Sequence, residues 1–468
     1  MANRVDPSYL LDLQDYVDRI RNFCILAHVD HGKTTLSDSL VSSNGIISPR
    51  LAGKLRFLDS TEEEQKRGIT MHSSAIALLY RMEEKGAEAA KEIGTKEDFL
   101  INLVDCPGHI DFSSDVSTAA RLCDGALIVV DVLEGVCTQT HAVIYKALRE
   151  RMKPCLVLNK LDRLIVESKL SPTEAFHHLR RLIEQVNALS FVLVKSELLK
   201  QAMECDPNFA EFVLDDAHPL LGEWTFSPDK NNVQFASALD GWGFGLVKCI
   251  NMLTKKLGLN RSILRQYLFE DYYINLETKK IGKVDSSDYS KCPMFASLVL
   301  QPIWELYECA VGRGDMQELT AMVTDKLTLP PLPPRELNPR DMRVSLQAIM
   351  RRYMPLAESL LRMVVKVMPS PREGQERRLD TLLPLDFYNS PSSSTPTTIP
   401  LAPTPSSPTL PSSAPIFAST PSLTPPLQCI CMDIKTCSRG AESALVVFIS
   451  KMMPVRATEL TKPDWALV

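Results

Sequence analysis

A polar loop with one lysine and two threonines follows an apolar segment near the start of the chain. Residues 27–34 read AHVDHGKT and precede a helix-like run. They match the phosphate-loop pattern GxxxxGK[ST], except that Ala27 replaces the first glycine. Backbone N–H groups of such a loop cradle phosphates, Lys33 can reach the β- and γ-phosphates, and the Thr34 hydroxyl can bind Mg²⁺. The predicted phosphate-binding residues are Ala27, His28, Val29, Asp30, His31, Gly32, Lys33, Thr34 and Thr35.

Two further segments could complete a magnesium site. Residues 105–109 read DCPGH after an apolar run, so that Asp105 would ligate Mg²⁺ through water and Gly108 would let the backbone approach the γ-phosphate. Residues 67–70 read RGIT, and Thr70 is placed to close over the metal as a switch residue. His109 could orient the attacking water, although most single histidines are structural. The predicted metal ligands are Thr34, Thr70 and Asp105, and the predicted catalytic residues are His109, Lys33 and Thr70.

A third pair of segments could select the base. Residues 159–162 read NKLD after an apolar strand, and the Asp162 carboxylate can accept both guanine donors, N1–H and N2–H₂, neither of which adenine offers. Residues 237–239 read SAL, and their backbone amides could meet the guanine O6. We therefore predict a GTP/GDP site that includes Asn159, Lys160, Asp162, Ser237, Ala238 and Leu239.

Two weaker features concern other ions. Asp30 could help to hold a monovalent cation beside the phosphates, or it could only cap the turn. Cys429, Cys431 and Cys437 form no C-x₂-C pair and have no nearby histidine, which argues against a metal site there.

These motifs need a scaffold that brings their loops together. Short apolar runs alternate with helix-like segments, which predicts an α/β fold with a doubly wound, mostly parallel sheet and ligand loops at the carboxyl ends of the strands. The strand candidates are Phe23–Ala27, Ala75–Tyr80, Phe99–Val104, Ala126–Val132, Cys155–Leu158 and Val233–Ala236. The helix candidates are Val116–Leu122, Thr138–Arg149, Thr173–Val186 and Val344–Val367, the last interrupted at Pro355. A further apolar run, Phe295–Leu300, reads as a strand.

The composition excludes several classes of protein. The chain has 468 residues, of which 45% are hydrophobic and 23% charged, with a net charge of -5. This is ordinary globular composition, it is not the basic coat of a general nucleic-acid binder, and it predicts no membrane partner. The cysteines lie scattered in apolar segments, which indicates reduced thiols and a cytoplasmic protein.

Changes in composition predict five regions. Residues 1–18 are an N-terminal extension, 19–257 a nucleotide-binding domain with an insertion at 190–232, and 258–370 an inserted α+β subdomain. Residues 371–428 are a disordered linker, because Pro391–Pro426 contains 11 prolines and 16 serines or threonines but no charged residue. Residues 429–468 contain the single strand Ala444–Ser450, and one strand is not a domain.

Together, AHVDHGKT, RGIT, DCPGH, NKLD and SAL, in this order and spacing, resemble the translational GTPases. LFEDYYIN, AIMRRYMPLAESLL, VMPSP and FISKMMP are similar to the eukaryotic ribosomal translocase, elongation factor two. SSNGIISPRLAGKLRFLDS, the glycine of RGIT, IVESKLSPTEAFHHLRRLIEQVNAL and SALDGWGFG are more similar to its paralogues, the elongation factor-like GTPases of large ribosomal subunit maturation. The resemblance covers roughly residues 19–370 and resumes at 444–454.

The resemblance implies a function and partners. It implies GTP hydrolysis with Mg²⁺, coupled to release of initiation factor six from the large ribosomal subunit, whose RNA and protein the factor contacts, with the Shwachman–Diamond syndrome protein as a partner. A translocase is the nearest alternative. The other alternative is a truncated, non-hydrolysing GTP-binding fragment. The resemblance implies that residues 429–468 are the incomplete start of the family's β-barrel second domain, where the chain stops. For that reason we expect the chain alone to be stimulated little by ribosomal subunits.

Overall fold

The computed structural model describes residues 7–382, apart from 60, 83–96, 109–112, 206–217, 276, 277, 279, 285–290, 328, 331, 332 and 334–340. The strands are β1 (Ile20–Ala27), β2 (Ser74–Met82), β3 (Glu97–Asp105), β4 (Gly125–Asp131), β5 (Lys153–Asn159), β6 (Val233–Ser237), β7 (Trp242–Phe244), β8 (Tyr272–Ile274) and β9 (Ile281–Lys283). The first helices are α1 (Pro7–Gln14), α2 (Lys33–Ser43), α3 (Glu62–Arg67), α4 (Ser113–Leu122), α5 (Thr138–Arg149), α6 (Leu161–Val166), α7 (Pro172–Cys205) and α8 (Pro219–Glu223). They are followed by α9 (Leu246–Leu257), α10 (Arg261–Tyr267), α11 (Gln301–Tyr307), α12 (Met316–Asp325), α13 (Met342–Tyr353), α14 (Leu356–Val367) and α15 (Pro371–Leu382).

Seven strands form one sheet in the order β2-β3-β1-β4-β5-β6-β7. The five central strands are parallel, whereas β2 and β7 pair antiparallel with their neighbours at the two edges. A separate antiparallel pair joins β8 and β9. Because the five parallel strands end at the same edge, the loops that follow them converge there.

Both faces of the sheet are buried. Side chains of β1 alternate, so that Cys24 and Leu26 face one core while Phe23 and Ile25 face the other. The first core contains buried residues of α4, α5, α7, α9 and α13, and the second contains those of α2 and α14. This confirms the predicted doubly wound α/β class, and all six predicted strands fall within or beside an observed strand.

The predicted strand Phe295–Leu300 is wrong, because this run is helical. Residues Ala296–Leu300 form a π-helical segment that continues directly into α11. The buried apolar residues continue at intervals of three and four through Ile303 and Leu306, which is helical periodicity. A window of six residues was too short to reveal that period. The predicted interruption at Pro355 is confirmed, since α13 ends at Tyr353 and α14 begins at Leu356.

The domain boundaries stay a prediction, but the described elements bear on them. The described residues up to Gly374 cluster as one compact unit. Helix α7 runs without a break through Ser190, where we placed the start of an insertion, and Leu193 and Val194 beyond it are buried in the core. The predicted linker Pro391–Pro426, the strand Ala444–Ser450 and the three cysteines of residues 429–437 lie outside the described residues. Every helix in the described part of the chain is too short or too polar to cross a bilayer.

Candidate functional site

Two adjoining cavities lie at the carboxyl edge of the sheet. One of about 400 Å³ is lined by the loop after β1, by residues 68–70 and by Gly108. The other, of about 230 Å³, is lined by residues that follow β5 and β6 and by Arg343 of α13. Gly32, Thr35 and Lys160 line both cavities. A single extended ligand can therefore occupy both.

The loop after β1 has the backbone of a phosphate cradle. Gly32 adopts a left-handed conformation at φ 87°, directly before the first turn of α2. A Cβ atom added at Gly32 would lie 2.4 Å from the Asn159 Nδ2, so a side chain is excluded by space as well as by conformation. The Asn159 Nδ2 donates to the His31 carbonyl at 2.9 Å, and its Oδ1 accepts from the Ala238 amide at 3.0 Å. Asn159 thus joins the phosphate loop to the loop after β6.

Lys33 and Asp105 form a buried ion pair below the larger cavity. The Lys33 Nζ lies 3.3 Å from the Asp105 Oδ1 and also donates to the Cys106 carbonyl. Asp105 is fully buried, and neither of its carboxylate oxygens has a hydrogen-bond partner among the described residues. Burial raises the pKa of Asp105, while the Lys33 ammonium opposes that effect. A buried carboxylate with open acceptor positions suits a hard cation and its water ligands.

The threonines predicted to bind Mg²⁺ are brought together. The Thr34 and Thr70 hydroxyls are 3.1 Å apart, and Thr70 donates to the Asp59 Oδ1 at 2.8 Å. The other oxygen of Asp59 accepts from the Arg56 Nε at 2.5 Å, and an Arg56 Nη1 donates to the Gly68 carbonyl. The Thr34 and Thr70 hydroxyls and the Asp105 carboxylate are oxygen ligands of the kind that Mg²⁺ takes, so these residues fit the metal.

Asp38 anchors the segment that carries Arg56. Its carboxylate, on α2, is fully buried and accepts three backbone N–H bonds, from Gly53 at 3.0 Å, Arg56 at 3.0 Å and Phe57 at 2.9 Å. Burial raises the pKa of Asp38, and these N–H groups counteract the increase. Sequence reasoning missed this residue, because an aspartate in an amphipathic helix gives no signal of a partner fifteen residues away.

Glu64 fixes the segment that ends in Thr70. Glu64 and Thr61 form a reciprocal capping box at the start of α3. The other carboxylate oxygen of Glu64 accepts the Met71 and His72 N–H groups, both at 2.9 Å. Burial raises the pKa of Glu64, but bonds from His72, Met71 and Thr61 outweigh burial and lower the pKa to about 2. Sequence reasoning missed Glu64, although its position three residues after Thr61 has the spacing of a capping box.

The smaller cavity contains the carboxylate predicted to read the base. Asp162 is buried, its Oδ1 accepts from the Ser237 Oγ at 2.8 Å, and burial followed by the nearby Asp240 raises its pKa. The Arg343 Nη2 donates to the Asp162 Oδ2 at 3.1 Å, and the Arg343 Nε lies 3.3 Å from the Asp240 Oδ1. Sequence reasoning missed Arg343 and Asp240.

Four side chains beside the phosphate loop place donor atoms within 4.8 Å of one another, namely His28, His31, Glu134 and Cys137. Protein partners account for the two histidines. The His28 Nδ1 contacts the Gln139 Oε1, and the buried His31 ring lies between the Val129 carbonyl and the Glu134 carboxylate. Burial lowers the pKa of His31, so that the ring is neutral near pH 7. These contacts brace the phosphate loop against the β4–α5 connection.

The structure brings together almost all the predicted site residues. The cavities are lined by His28, Val29, Asp30, Gly32, Lys33, Thr34, Thr35, Thr70, Gly108, Asn159, Lys160, Asp162, Ala238 and Leu239. The other described candidates, Ala27, His31, Asp105 and Ser237, are buried close behind these walls. His109 lies outside the described residues, so its catalytic role stays a prediction.

Comparison with known proteins agrees with this geometry. Residues 18–370 match the model of the elongation factor Tu GTP-binding domain. Over 386 residues, 80% of this chain, the sequence is 45% identical to a mouse protein named elongation factor-like GTPase 1. It is 44% identical over 387 residues to a Saccharomyces cerevisiae protein named ribosome assembly protein 1. The aligned parts make up 33% and 34% of those proteins, so the chain spans about a third of the length of the relatives it matches. The chain therefore belongs to the elongation factor Tu GTP-binding domain family.

Proposed function

We propose that the chain binds GTP with Mg²⁺, hydrolyses it to GDP and phosphate, and serves cytoplasmic maturation of the large ribosomal subunit. In this role, hydrolysis promotes release of initiation factor six, with the Shwachman–Diamond syndrome protein as partner. The observation that carries the nucleotide part is the pair of adjoining cavities, one lined by phosphate-binding residues and the other by the base-reading Asp162.

The residues divide the work by location. The N–H groups of the phosphate loop and the Lys33 ammonium would neutralise the β- and γ-phosphates, because the loop residues and Lys33 line the larger cavity. Thr34, Thr70 and the water-mediated Asp105 would hold Mg²⁺, which supplies charge neutralisation on the phosphate oxygens. Thr70 would act as the switch ligand, and the segment of residues 61–72 that carries it is held by Glu64. His109 orients the attacking water in this scheme.

Base selection depends on Asp162. Its two oxygens would accept the guanine N1–H and N2–H₂. The Ala238 N–H donates to the Asn159 Oδ1 and so fixes the loop after β6 against the phosphate loop. A smaller role is open to Asp30, whose side chain lines the larger cavity and could face a monovalent cation beside the phosphates.

The ribosomal part of the proposal rests on similarity. Relatives from two yeasts carry the name ribosome assembly protein 1, at 44% and 43% identity. The mammalian relatives are named as elongation factor-like GTPases rather than translocases. Eight cysteines in the described part of the chain form no disulfide, namely Cys24, Cys106, Cys123, Cys137, Cys155, Cys249, Cys292 and Cys309, in keeping with a cytoplasmic setting.

Asp162→Asn tests the proposal. This variant should lose GTP affinity by about a hundredfold, because a buried bidentate contact to a charged acceptor is lost, and it should gain affinity for xanthosine nucleotides. Displacement of a fluorescent guanine nucleotide by GTP, ATP and XTP measures both effects. In cells depleted of the protein, we expect initiation factor six to stay on large subunits in sucrose gradients. Unchanged GTP binding would refute the base assignment, and normal release in depleted cells would refute the ribosomal role.

A further inference from the structure

Arg343 lies in the wall of the base cavity although it comes from a distant part of the chain. It occupies the first turn of α13, 181 residues after Asp162, and its side chain is 36% exposed. The side chain bridges two carboxylates, Asp162 and Asp240, that are themselves buried. Two buried carboxylates side by side repel each other unless a cation lies between them.

The two carboxylates differ in their other partners. Asp240 also accepts from the Gln347 Nε2 at 2.9 Å and from the Tyr307 hydroxyl. Among the described side chains, Asp162 has hydrogen bonds only from Ser237, to Oδ1, and Arg343, to Oδ2. The loss of Arg343 would therefore leave Asp240 held by α13 and leave Asp162 without its cation.

These two donors leave room for the base. Each carboxylate oxygen can accept two hydrogen bonds. Ser237 uses one position on Oδ1 and Arg343 uses one on Oδ2, so one position on each oxygen remains for the guanine N1–H and N2–H₂. Arg343 can accordingly stay in place when guanine binds.

On this basis, and resting on the assignment of Asp162 as the base reader, we propose that Arg343 is a positioning residue for guanine recognition. It fixes the plane of the Asp162 carboxylate toward the cavity and keeps that carboxylate ionised beside Asp240. The inserted region after residue 258 thus contributes to base specificity through α13. This links guanine affinity to the docking of α13 on the loop after β6.

The charged surroundings of Asp162 set the expected pH dependence. Burial and the repulsion from Asp240 raise the pKa of Asp162, whereas Ser237 and Arg343 lower it. The other ionisable groups near the cavity are Tyr307, Lys160, Arg163 and Glu167. Lys160 and Arg163 are themselves paired with Asp131, and Arg163 also with Glu167. Removal of Arg343 should therefore protonate Asp162 at a higher pH and weaken guanine binding on acidification.

The test compares Arg343→Gln, Arg343→Lys and the matched control Gln347→Ala, which removes a contact between α13 and Asp240 without touching Asp162. We expect Arg343→Gln to weaken GDP binding about tenfold at pH 7, since it removes a charged hydrogen bond from a side chain that is only partly buried. At pH 5.5 the loss should be larger. Arg343→Lys should restore most of the affinity, and Gln347→Ala should change it less than twofold. Thermal melting shows that each variant is folded.

A double-mutant cycle separates this role from direct contact with the base. In an Asp162→Asn background, Arg343→Gln should lower the affinity for XDP by about threefold or less. An equal loss in both backgrounds would overturn the proposal, because Arg343 would then act independently of Asp162. Wild-type GDP affinity in a folded Arg343→Gln would overturn it as well. Failure of Asp162→Asn to bind XDP would instead refute the base assignment of Asp162 itself.

Discussion

Replacement of Asp38 by alanine should loosen the segment of residues 50–59 without unfolding the sheet. The Asp38 carboxylate is the acceptor for three backbone N–H groups, those of Gly53, Arg56 and Phe57. In Asp38→Ala these groups lose their partner, while α2 keeps its buried contacts through Leu36 and Leu40. We expect the damage to remain local.

The magnitude follows from the number of bonds and their exposure. A hydrogen bond to a charged acceptor contributes about 1.5–3 kcal/mol, but Gly53 and Arg56 are only partly buried and Phe57 is exposed, so water replaces part of the loss. At about 1 kcal/mol for each of three bonds, the segment loses about 3 kcal/mol, or roughly a hundredfold in its opening equilibrium. Because Arg56 holds Asp59, and Asp59 accepts from Thr70, the preference for GTP over GDP should fall as well.

Hydrogen exchange followed by mass spectrometry measures the opening. Peptides covering residues 50–59 should exchange about a hundredfold faster in Asp38→Ala, while peptides of β4 and β5 should be unchanged. In Asp38→Asn, which keeps one acceptor oxygen, these peptides should exchange at a rate between those of the wild type and Asp38→Ala. Ser43→Ala is the matched control on the same helix, since its hydroxyl donates to the Leu40 carbonyl and accepts from the adjacent Asn44 Nδ2, both of which are local contacts. Exchange within threefold of wild type in a folded Asp38→Ala would refute the reasoning.

Two other predictions concern backbone conformation and pH. Gly32→Ala should abolish detectable nucleotide binding, because the new Cβ would lie 2.4 Å from the Asn159 Nδ2 at a φ of 87°; Gly222→Ala, with nothing within 4 Å, is the control in the same binding titration. Glu64 has a pKa lowered from 4.5 to about 2, so it stabilises the fold fully above pH 4.5, and this contribution is lost as pH falls toward 2. Chemical denaturation at several pH values should therefore show a shallower loss of stability below pH 4.5 in Glu64→Gln, and an unchanged slope would contradict the role of the capping box.

The sequence was informative wherever local pattern decides structure. The strand that precedes the phosphate loop and the strand that ends at Asn159 are continuous apolar runs, as parallel strands covered on both faces must be. The phosphate loop, DCPGH and NKLD each lie at the end of such a strand. The rule that loops converge at the carboxyl edge was therefore enough to place Lys33, Asp105 and Asp162 together. The order of elements, more than any single motif, made the site predictable.

Long-range partners were beyond the reach of such patterns. Asp38, Asp240 and Arg343 act through residues that lie 15 to 181 positions away, and neither periodicity nor spacing encodes such pairs. The run Phe295–Leu300 was misassigned for a related reason, because a mostly apolar stretch of six residues fits a buried strand and a buried helix equally well. The helix is distinguished from a strand only when the apolar pattern is followed to Tyr307 and these residues are seen to pack in the aromatic core.

Helix α13 connects the base cavity to the segment of residues 49–59, whose Asp59 accepts a hydrogen bond from Thr70. Its first turn places Arg343 on Asp162 and Asp240, and two turns later the Arg351 Nε donates to the Asp240 carbonyl at 3.1 Å. The Arg351 Nη1 also donates to the Pro49 carbonyl at 3.0 Å, at the start of the segment that Asp38 anchors. Because one rigid helix contacts both regions, a shift of α13 must change the surroundings of Asp162 and of residues 49–59 together. The region after residue 258 therefore contacts both the base cavity and residues 49–59 through α13, whichever way its domain boundary is drawn.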